Sequence, residues 1–167
     1  MTRTLIACVG NVLRGDDGFG VAVAEHLAQG EPLPDGVDLI ETGIGGMSIV
    51  QQLMDGYDTL VVVDALERGA APGTLVVAEP GVPDPNSMSS DEWRSHFTNL
   101  HLAEPSRVLL LARAAGVLPR CVLLVGCEPQ TCEEFDQELS APVRAAVAVA
   151  CARIRELVST RAVEAVG

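Results

Sequence analysis

Two adjacent aspartates in a glycine-rich turn are the residues of this chain best suited to chemistry. Asp16 and Asp17 lie in the segment CVGNVLRGDDGFG at residues 8–20, between an apolar run and a segment with helical spacing. The four glycines of that segment allow a sharp backbone turn. The sequence therefore predicts two carboxylates at a strand-to-helix turn.

This turn does not have the sequence of a phosphate-binding loop. The spacing G-x-G-x-x-G is absent, and a Walker loop requires a lysine next to serine or threonine. The chain contains no lysine, since all 11 basic residues are arginine. A simpler role is helix capping, with Asp16 as the N-cap and Asp17 in the first turn, where the helix dipole favours anions.

A third carboxylate and two histidines extend the set of candidate ligands. Asp64 is at the end of an apolar run, where a partly desolvated carboxylate is costly unless it is hydrogen-bonded or bound to a cation. His96 and His101 lie where a long loop meets a helix, whereas His26 lies inside a helix and is expected to pack or face solvent. One histidine beside two carboxylates is a usual ligand set for Zn, Ni or Co. Spacing alone does not choose between His96 and His101.

The sequence lacks the residues that other types of catalysis require. The nucleophile motif G-x-S-x-G and the metalloprotease motif H-E-x-x-H are both absent. Cys132 has acidic neighbours, which raise the pKa of a thiol and reduce its reactivity. The chain has five cysteines and no C-x-x-C pair, so we expect a reduced protein without a disulfide framework.

Bulk composition limits the partners. The 167 residues are 48% hydrophobic and carry a net charge of −12, which argues against nucleic acid because phosphate binding needs clustered basic residues. No apolar run approaches the ~20 residues of a membrane span, and the first residues do not have the pattern of a signal peptide. These features predict a cytoplasmic protein that does not interact with membranes.

The apolar periodicity predicts an α/β fold, a three-layer α/β/α sandwich. Its sheet is expected to have about five strands, mostly parallel but mixed, with helices on both faces. The link at 66–73 is too short for a crossover helix, so the fourth strand should pair antiparallel with the third or join elsewhere at an edge. The whole chain, 1–167, is expected to form a single domain. The predicted strands are 4–10, 37–42, 59–65, 74–78 and 121–126, and the predicted helices are 18–28, one following residue 46, 105–115 and one from about 140.

The predicted topology brings the candidate residues together. In open parallel sheets ligands bind beyond the carboxyl ends of the strands, at the point where the strand order reverses. If the first strand lies between the second and the third, Asp16 and Asp17 follow one side of that crevice and Asp64 ends the other.

Four segments together resemble the hydrogenase maturation endopeptidases. They are Val9-Gly10-Asn11-x-Leu13-x-x-Asp16-Asp17-Gly18-x-Gly20, Val62-Val63-Asp64-Ala65, Pro72-Gly73-Thr74 and Gly126-Cys127-Glu128-Pro129. They occur in the family's order, and the resemblance runs from about residue 4 to the last helix. The family fold is a mixed sheet between helices, which agrees with the prediction above.

This resemblance implies a processing protease, either of the aspartic type or metal-assisted. Members of the family remove a C-terminal peptide from the precursor of the nickel-iron hydrogenase large subunit, and only after nickel has been inserted. The implied partner is a nickel-loaded large-subunit precursor. The implied metal is nickel supplied by that substrate, with no organic cofactor.

The resemblance also assigns the site residues. The second acid of the paired motif falls on Asp17, the strand-end aspartate on Asp64 and the family histidine on His101, with His96 as the alternative. These three residues are implied as catalytic and metal-ligating groups. Asp16 is expected to act as a cap, and the glycine turn at 43–46 to contact the client's tail. Two alternative functions stay open: a nickel-sensing or chaperone module that cleaves nothing, and a small-molecule hydrolase on a related fold.

Overall fold

The secondary structure follows the predicted alternation of strands and helices, with one added helix. The structure, a computed structural model, describes residues 2–43, 46–98, 104–132, 135 and 138–164. Its strands are β1 (Thr4–Val9), β2 (Val37–Gly43), β3 (Thr59–Ala65), β4 (Leu75–Ala78) and β5 (Cys121–Cys127). Its helices are α1 (Phe19–Gln29), α2 (Met47–Leu53), α3 (Ser90–Thr98), α4 (Glu104–Ala114) and α5 (Ala141–Glu164).

The five strands form one mixed sheet in the order β2-β1-β3-β5-β4. The pairs β1–β2, β1–β3 and β3–β5 are parallel, and β4 is antiparallel to β5. The fold class is therefore confirmed. Of the two placements left open for the fourth strand, the structure has the edge placement, beside β5 rather than β3.

Helices cover both faces of the sheet and bury it. Phe19, Val23 and Leu27 of α1 recur every four residues and pack with α5 over one face. Helices α2 and α4 cover the other face, where Ile49 and Val108 contribute to the core. Every residue of β1 is buried, as expected for a central strand covered on both sides. Among the described residues, no helix combines the length and apolar character needed to cross a bilayer.

Helix α3 was not predicted, although the sequence contains a signal for it. The main-chain N–H of Ser89 donates to Glu92 Oε2 at 2.6 Å, and the N–H of Glu92 donates to Ser89 Oγ at 3.3 Å. This reciprocal pair is a capping box, which S-x-x-E before a helix encodes. The proline-rich and glycine-rich stretch before it favoured the interpretation as a continuous loop.

Close packing of two glycines fixes the start of α1 against the sheet. A Cβ atom on Gly20 would lie 1.9 Å from the carbonyl oxygen of Val9 and 2.8 Å from that of Val63. On Gly10 it would lie 2.4 Å from the carbonyl oxygen of Asp17. These contacts hold the turn between β1 and α1 at the carboxyl ends of β1 and β3.

Replacing Gly20 by alanine should therefore disrupt the fold locally. We expect Gly20→Ala to lower the free energy of unfolding by at least the ~1–3 kcal/mol typical of overpacking, because main-chain atoms cannot move aside easily. Urea denaturation measures the change. Gly81→Ala is the matched control, since no atom lies within 4 Å of its Cβ position and its φ is not positive. Equal stability of the two variants would contradict the prediction.

Candidate active site

The acidic turn, residues Gly15–Gly18, is a short 3-10 helix between β1 and α1. The loop before it folds back on itself: the N–H of Asn11 donates to the carbonyl of Asp17 at 3.0 Å, and the N–H of Asp17 donates to that of Arg14 at 3.2 Å. Gly15 has a φ of +56°, which few other residues adopt. Local hydrogen bonds and glycine geometry therefore define the position of both aspartates.

Asp16 is not a helix cap, so that prediction was wrong. Its side chain is only 1% exposed and accepts three hydrogen bonds: from the N–H of Gln130 at 2.8 Å, from the N–H of Ser140 at 2.7 Å and from Ser140 Oγ at 2.8 Å. The residue before α1, Gly18, makes no side-chain cap. Asp16 lies inside the 3-10 turn and its carboxylate is used by the loop after β5 and the start of α5.

Asp17 is in a different environment. It is half-buried, and burial raises the pKa of its carboxyl, with a further increase from the negative charge of Glu67. The guanidinium of Arg14 acts in the opposite direction and lowers that pKa. Burial near a like charge disfavours the carboxylate form. A cation next to Asp17 would remove that cost.

Asp64 lies at the carboxyl end of β3, in the middle of the sheet. It is 7% exposed, and its Oδ1 accepts a hydrogen bond from the N–H of Ala65 at 2.9 Å. Gly20, three residues after Asp17, packs on the carbonyl of Val63, one residue before Asp64. The structure thus brings the Asp17 and Asp64 positions to the same edge, at the crevice between β1 and β3.

The third predicted ligand cannot be placed with them. His101 lies outside the described residues, as do residues 44 and 45 of the glycine turn expected to contact the client. His96 is in the last turn of α3, and its charge adds to the hydrogen bonds from Ser89 that lower the pKa of Glu92. Within the described part of the chain, no group of three His, Cys, Asp or Glu residues could hold a metal ion. The triad of Asp17, Asp64 and His101 stays a prediction.

Cys132 borders the site but is not a reactive thiol. Its pKa is raised to about 12, first by burial and then by the charges of Asp17, Glu67 and Asp16. The expected increase in the pKa of this thiol is confirmed, although burial contributes more than the acidic neighbours. All five cysteines are free, as their number and spacing predicted.

The family is decided by sequence comparison over most of the chain. A model of the family described as HycI, hydrogenase maturation protease, matches residues 21–157. The chain belongs to the hydrogenase maturation protease family. The protein is therefore assigned to a family of hydrolases, and the resemblance to that family is confirmed.

Similar proteins agree with this assignment. The hydrogenase expression/formation protein HoxM of Azotobacter vinelandii is 38% identical over 162 residues, which are 96% of this chain and 74% of HoxM. The maturating endopeptidase HybD of E. coli has a similar structure, with a TM-score of 0.73, 29% identity and coverage of 92% of this chain and 90% of HybD. A hydrogenase 2 maturation peptidase from a Thaumarchaeota archaeon is 33% identical, with a TM-score of 0.68 and coverage of 95% and 99%.

Two acids of the protease have roles that the sequence analysis did not assign. Glu67 raises the pKa of Asp17, as described above. Glu128 is 8% exposed, and its carboxylate accepts hydrogen bonds from the N–H groups of Arg68 at 2.8 Å and Gly69 at 3.1 Å. It thereby fixes the segment that follows Asp64 and carries Glu67. The sequence contained a signal for this contact. Glu128 directly follows β5, and the carboxyl ends of the parallel neighbours β3 and β5 lie side by side.

The hydrogen bond between Ser140 Oγ and the Asp16 carboxylate can be measured in a double-mutant cycle. We expect Asp16→Ala and Ser140→Ala to show a coupling energy of about 1.5–3 kcal/mol, the range for hydrogen bonds to charged groups. Urea denaturation of the two single variants and the double variant gives this value. The exposed pair Arg153–Glu156, with N and O 2.9 Å apart, is the control and should couple by only about 0.3–0.5 kcal/mol. Coupling no larger than that of the control would show that the hydrogen bond from Ser140 Oγ does not stabilise the fold, and destabilisation by Asp16→Ala alone then reports the two main-chain donors.

The electrostatic environment of Asp17 can be tested by carboxyl NMR titration of the protease. Asp17 should titrate above the usual range of an aspartate. Because Glu67 repels the carboxylate form and Arg14 attracts it, Glu67→Gln should lower the pKa of Asp17 and Arg14→Gln should raise it. Glu156→Gln is the control and should leave it unchanged. An Asp17 pKa that does not respond to Glu67→Gln would contradict the interpretation.

Proposed function

We propose that this protease removes a C-terminal peptide from the large-subunit precursor of a nickel-iron hydrogenase after nickel has been inserted. Asp17, Asp64 and His101 would bind the nickel of the client and place the scissile bond at the crevice between β1 and β3. The family assignment supports proteolysis in hydrogenase maturation. The environment of the two carboxylates supports the metal.

The single observation that carries the proposal is the burial of the Asp17 carboxylate near Glu67, which Arg14 compensates only in part. A half-buried carboxylate near Glu67 is more costly to ionise than one in water. A divalent cation between Asp17 and Asp64 would offset this cost, since each carboxylate is a hard oxygen donor suited to such an ion. The crevice is therefore better suited to a positive group than to a neutral substrate.

The small number of ligands indicates an ion shared with the client. Two carboxylates and one imidazole leave coordination positions open on a divalent metal. In the proposed complex those positions are filled by groups of the client, such as its own thiolates. The protease would then have no complete metal site of its own, and a client without nickel would lack the group that aligns it.

In this mechanism the protease supplies alignment, and the nickel supplies positive charge near the scissile carbonyl. Holding the reacting groups in position can account for a large part of a rate enhancement, and misplacement by about 1 Å can cost ~10²-fold. A bound metal can also polarise a carbonyl or activate water. Asp16 takes no part in this chemistry and holds the acidic turn in place.

Cleavage of a purified precursor tests the function. A nickel-loaded large-subunit precursor is incubated with the protein, and the mass of its C-terminus is followed by mass spectrometry. We expect cleavage of the loaded precursor and none of the nickel-free one, even with free nickel present, unless that precursor takes up the ion. Asp17→Ala, Asp64→Ala and His101→Ala should each be at least ~10²-fold slower, with circular dichroism showing a retained fold.

The controls distinguish the alternatives. His96→Ala should cleave at the wild-type rate, and loss of cleavage in it but not in His101→Ala would reassign the histidine. Cleavage of a nickel-free client at a rate that follows the metal content of the protease would indicate an ordinary metallopeptidase. Binding of the loaded precursor without any cleavage would indicate a nickel-sensing module instead.

A further inference from the structure

No strand among the described residues pairs with the outer edge of β2, although the N–H of Val37, its first residue, donates to the carbonyl of Pro34 at 3.1 Å. β2 pairs with β1 on one side, and it ends the strand order of the described sheet on the other. It has seven residues, Val37–Gly43, whereas the opposite edge strand β4 has four. An open edge presents unpaired N–H and C=O groups and can accept an added strand.

A groove runs beside this edge, between β2 and α1. Two cavities of about 390 and 250 Å³ share Ala28 and Leu39 and are therefore parts of one groove. Val37, Leu39 and Glu41 line its strand side, and as alternate residues they point to the same face of the sheet. The small side chains of Ala24 and Ala28 line the helix side and leave room for side chains of a bound peptide.

The charged residues that line the groove are acidic: Glu25, Glu31, Asp38 and Glu41. The guanidinium of Arg155 borders one end of it, where it donates to the carbonyls of Leu27 and Glu31. Asp38 is compensated by Arg3, at 3.0 Å. Glu25 and Glu41 form no ion pair with any described residue. Their charges favour a basic occupant and oppose pairing of this edge with a second copy of the same acidic edge.

The carboxyl end of β2 lies at the edge of the sheet that carries the site. The N–H of Gly10, at the start of the loop before the acidic turn, donates to the carbonyl of Gly43 at 3.2 Å. A strand added beside β2 would be three strand spacings from β3, about 15 Å. Some five extended residues span that distance.

We propose that the β2–α1 groove binds a basic, extended segment of the client's C-terminal region as an added strand, about five residues from the scissile bond. This inference rests on the proposed proteolytic function. Main-chain hydrogen bonds to β2 provide affinity for an extended chain, and Glu25 and Glu41 select positive side chains. The groove thus binds the client independently of its nickel.

Charge reversal tests the groove by kinetics. In the double variant Glu25→Arg/Glu41→Arg, KM for the nickel-loaded precursor should rise at least tenfold with kcat unchanged. Raising the salt concentration should increase KM of the wild type more than KM of this variant, because the attraction is electrostatic. Glu79→Arg is the matched control: Glu79 follows the other edge strand, forms no ion pair with a described residue, and its variant should stay within twofold of wild type. An unchanged KM in the double variant would overturn the proposal.

Hydrogen exchange tests it without relying on cleavage. With excess precursor, the outward-facing amides of β2 after Val37 should exchange at least tenfold more slowly, and mature large subunit lacking the C-terminal peptide should protect them less. Equal protection by both forms, or protection only at β4, would overturn the proposal. So would protection that rises with protein concentration in the absence of client, which would indicate pairing of two copies. Protection of β2 without any cleavage would retain the groove and reject the proteolytic function.

Discussion

The buried carboxylate of Asp16 connects the parts of the chain that form the site. It accepts hydrogen bonds from Gln130, in the loop after β5, and from Ser140, at the start of α5. These segments are more than 110 residues away in sequence, so no local propensity brings them to the acidic turn. The position of Asp17 therefore depends on a long-range polar contact as well as on the glycines of the turn. Such a contact is costly to leave incomplete, because its donors would remain buried without an acceptor.

The two adjacent aspartates show how environment divides one residue type between two roles. Asp16 is surrounded by donors and is used in the structure. Asp17 is half-buried near Glu67, and the pKa of its carboxyl is raised. Groups whose environments differ in this way often have different functions in a site. Because the two aspartates are adjacent, the hydrogen bonds that fix Asp16 also fix the main chain that carries Asp17. Two aspartates far apart in the sequence would not share this support.

The fold was predictable because its strands and helices have strong periodicity. Thr59–Ala65 is an apolar run of strand length, and the spacing of Phe19, Val23 and Leu27 is helical. The convergence of Asp17 and Asp64 also followed, from the rule for open parallel sheets. The hydrogen-bond partners of Asp16 could not be predicted from the sequence, because a local motif cannot distinguish a capping aspartate from one that bonds to a distant loop. Helix α3 was missed because its capping box lies in a stretch whose prolines and glycines favour a loop.

The two proposed contacts with the client are the groove beside β2 and the nickel at the crevice. Together they would set the order of docking and cleavage, which neither contact sets alone. The groove beside β2 attracts a basic chain whether or not nickel is present, and docking there raises the local concentration of the client's C-terminal region near the site. At the crevice, the buried charge of Asp17 near Glu67 is unfavourable for a client without a cation, because Arg14 compensates it only in part. Nickel reverses the sign of that interaction. A client could therefore bind before nickel is inserted, yet be aligned for cleavage only after insertion. The timing of cleavage would then follow from electrostatics at the crevice and would require no conformational change of the protease.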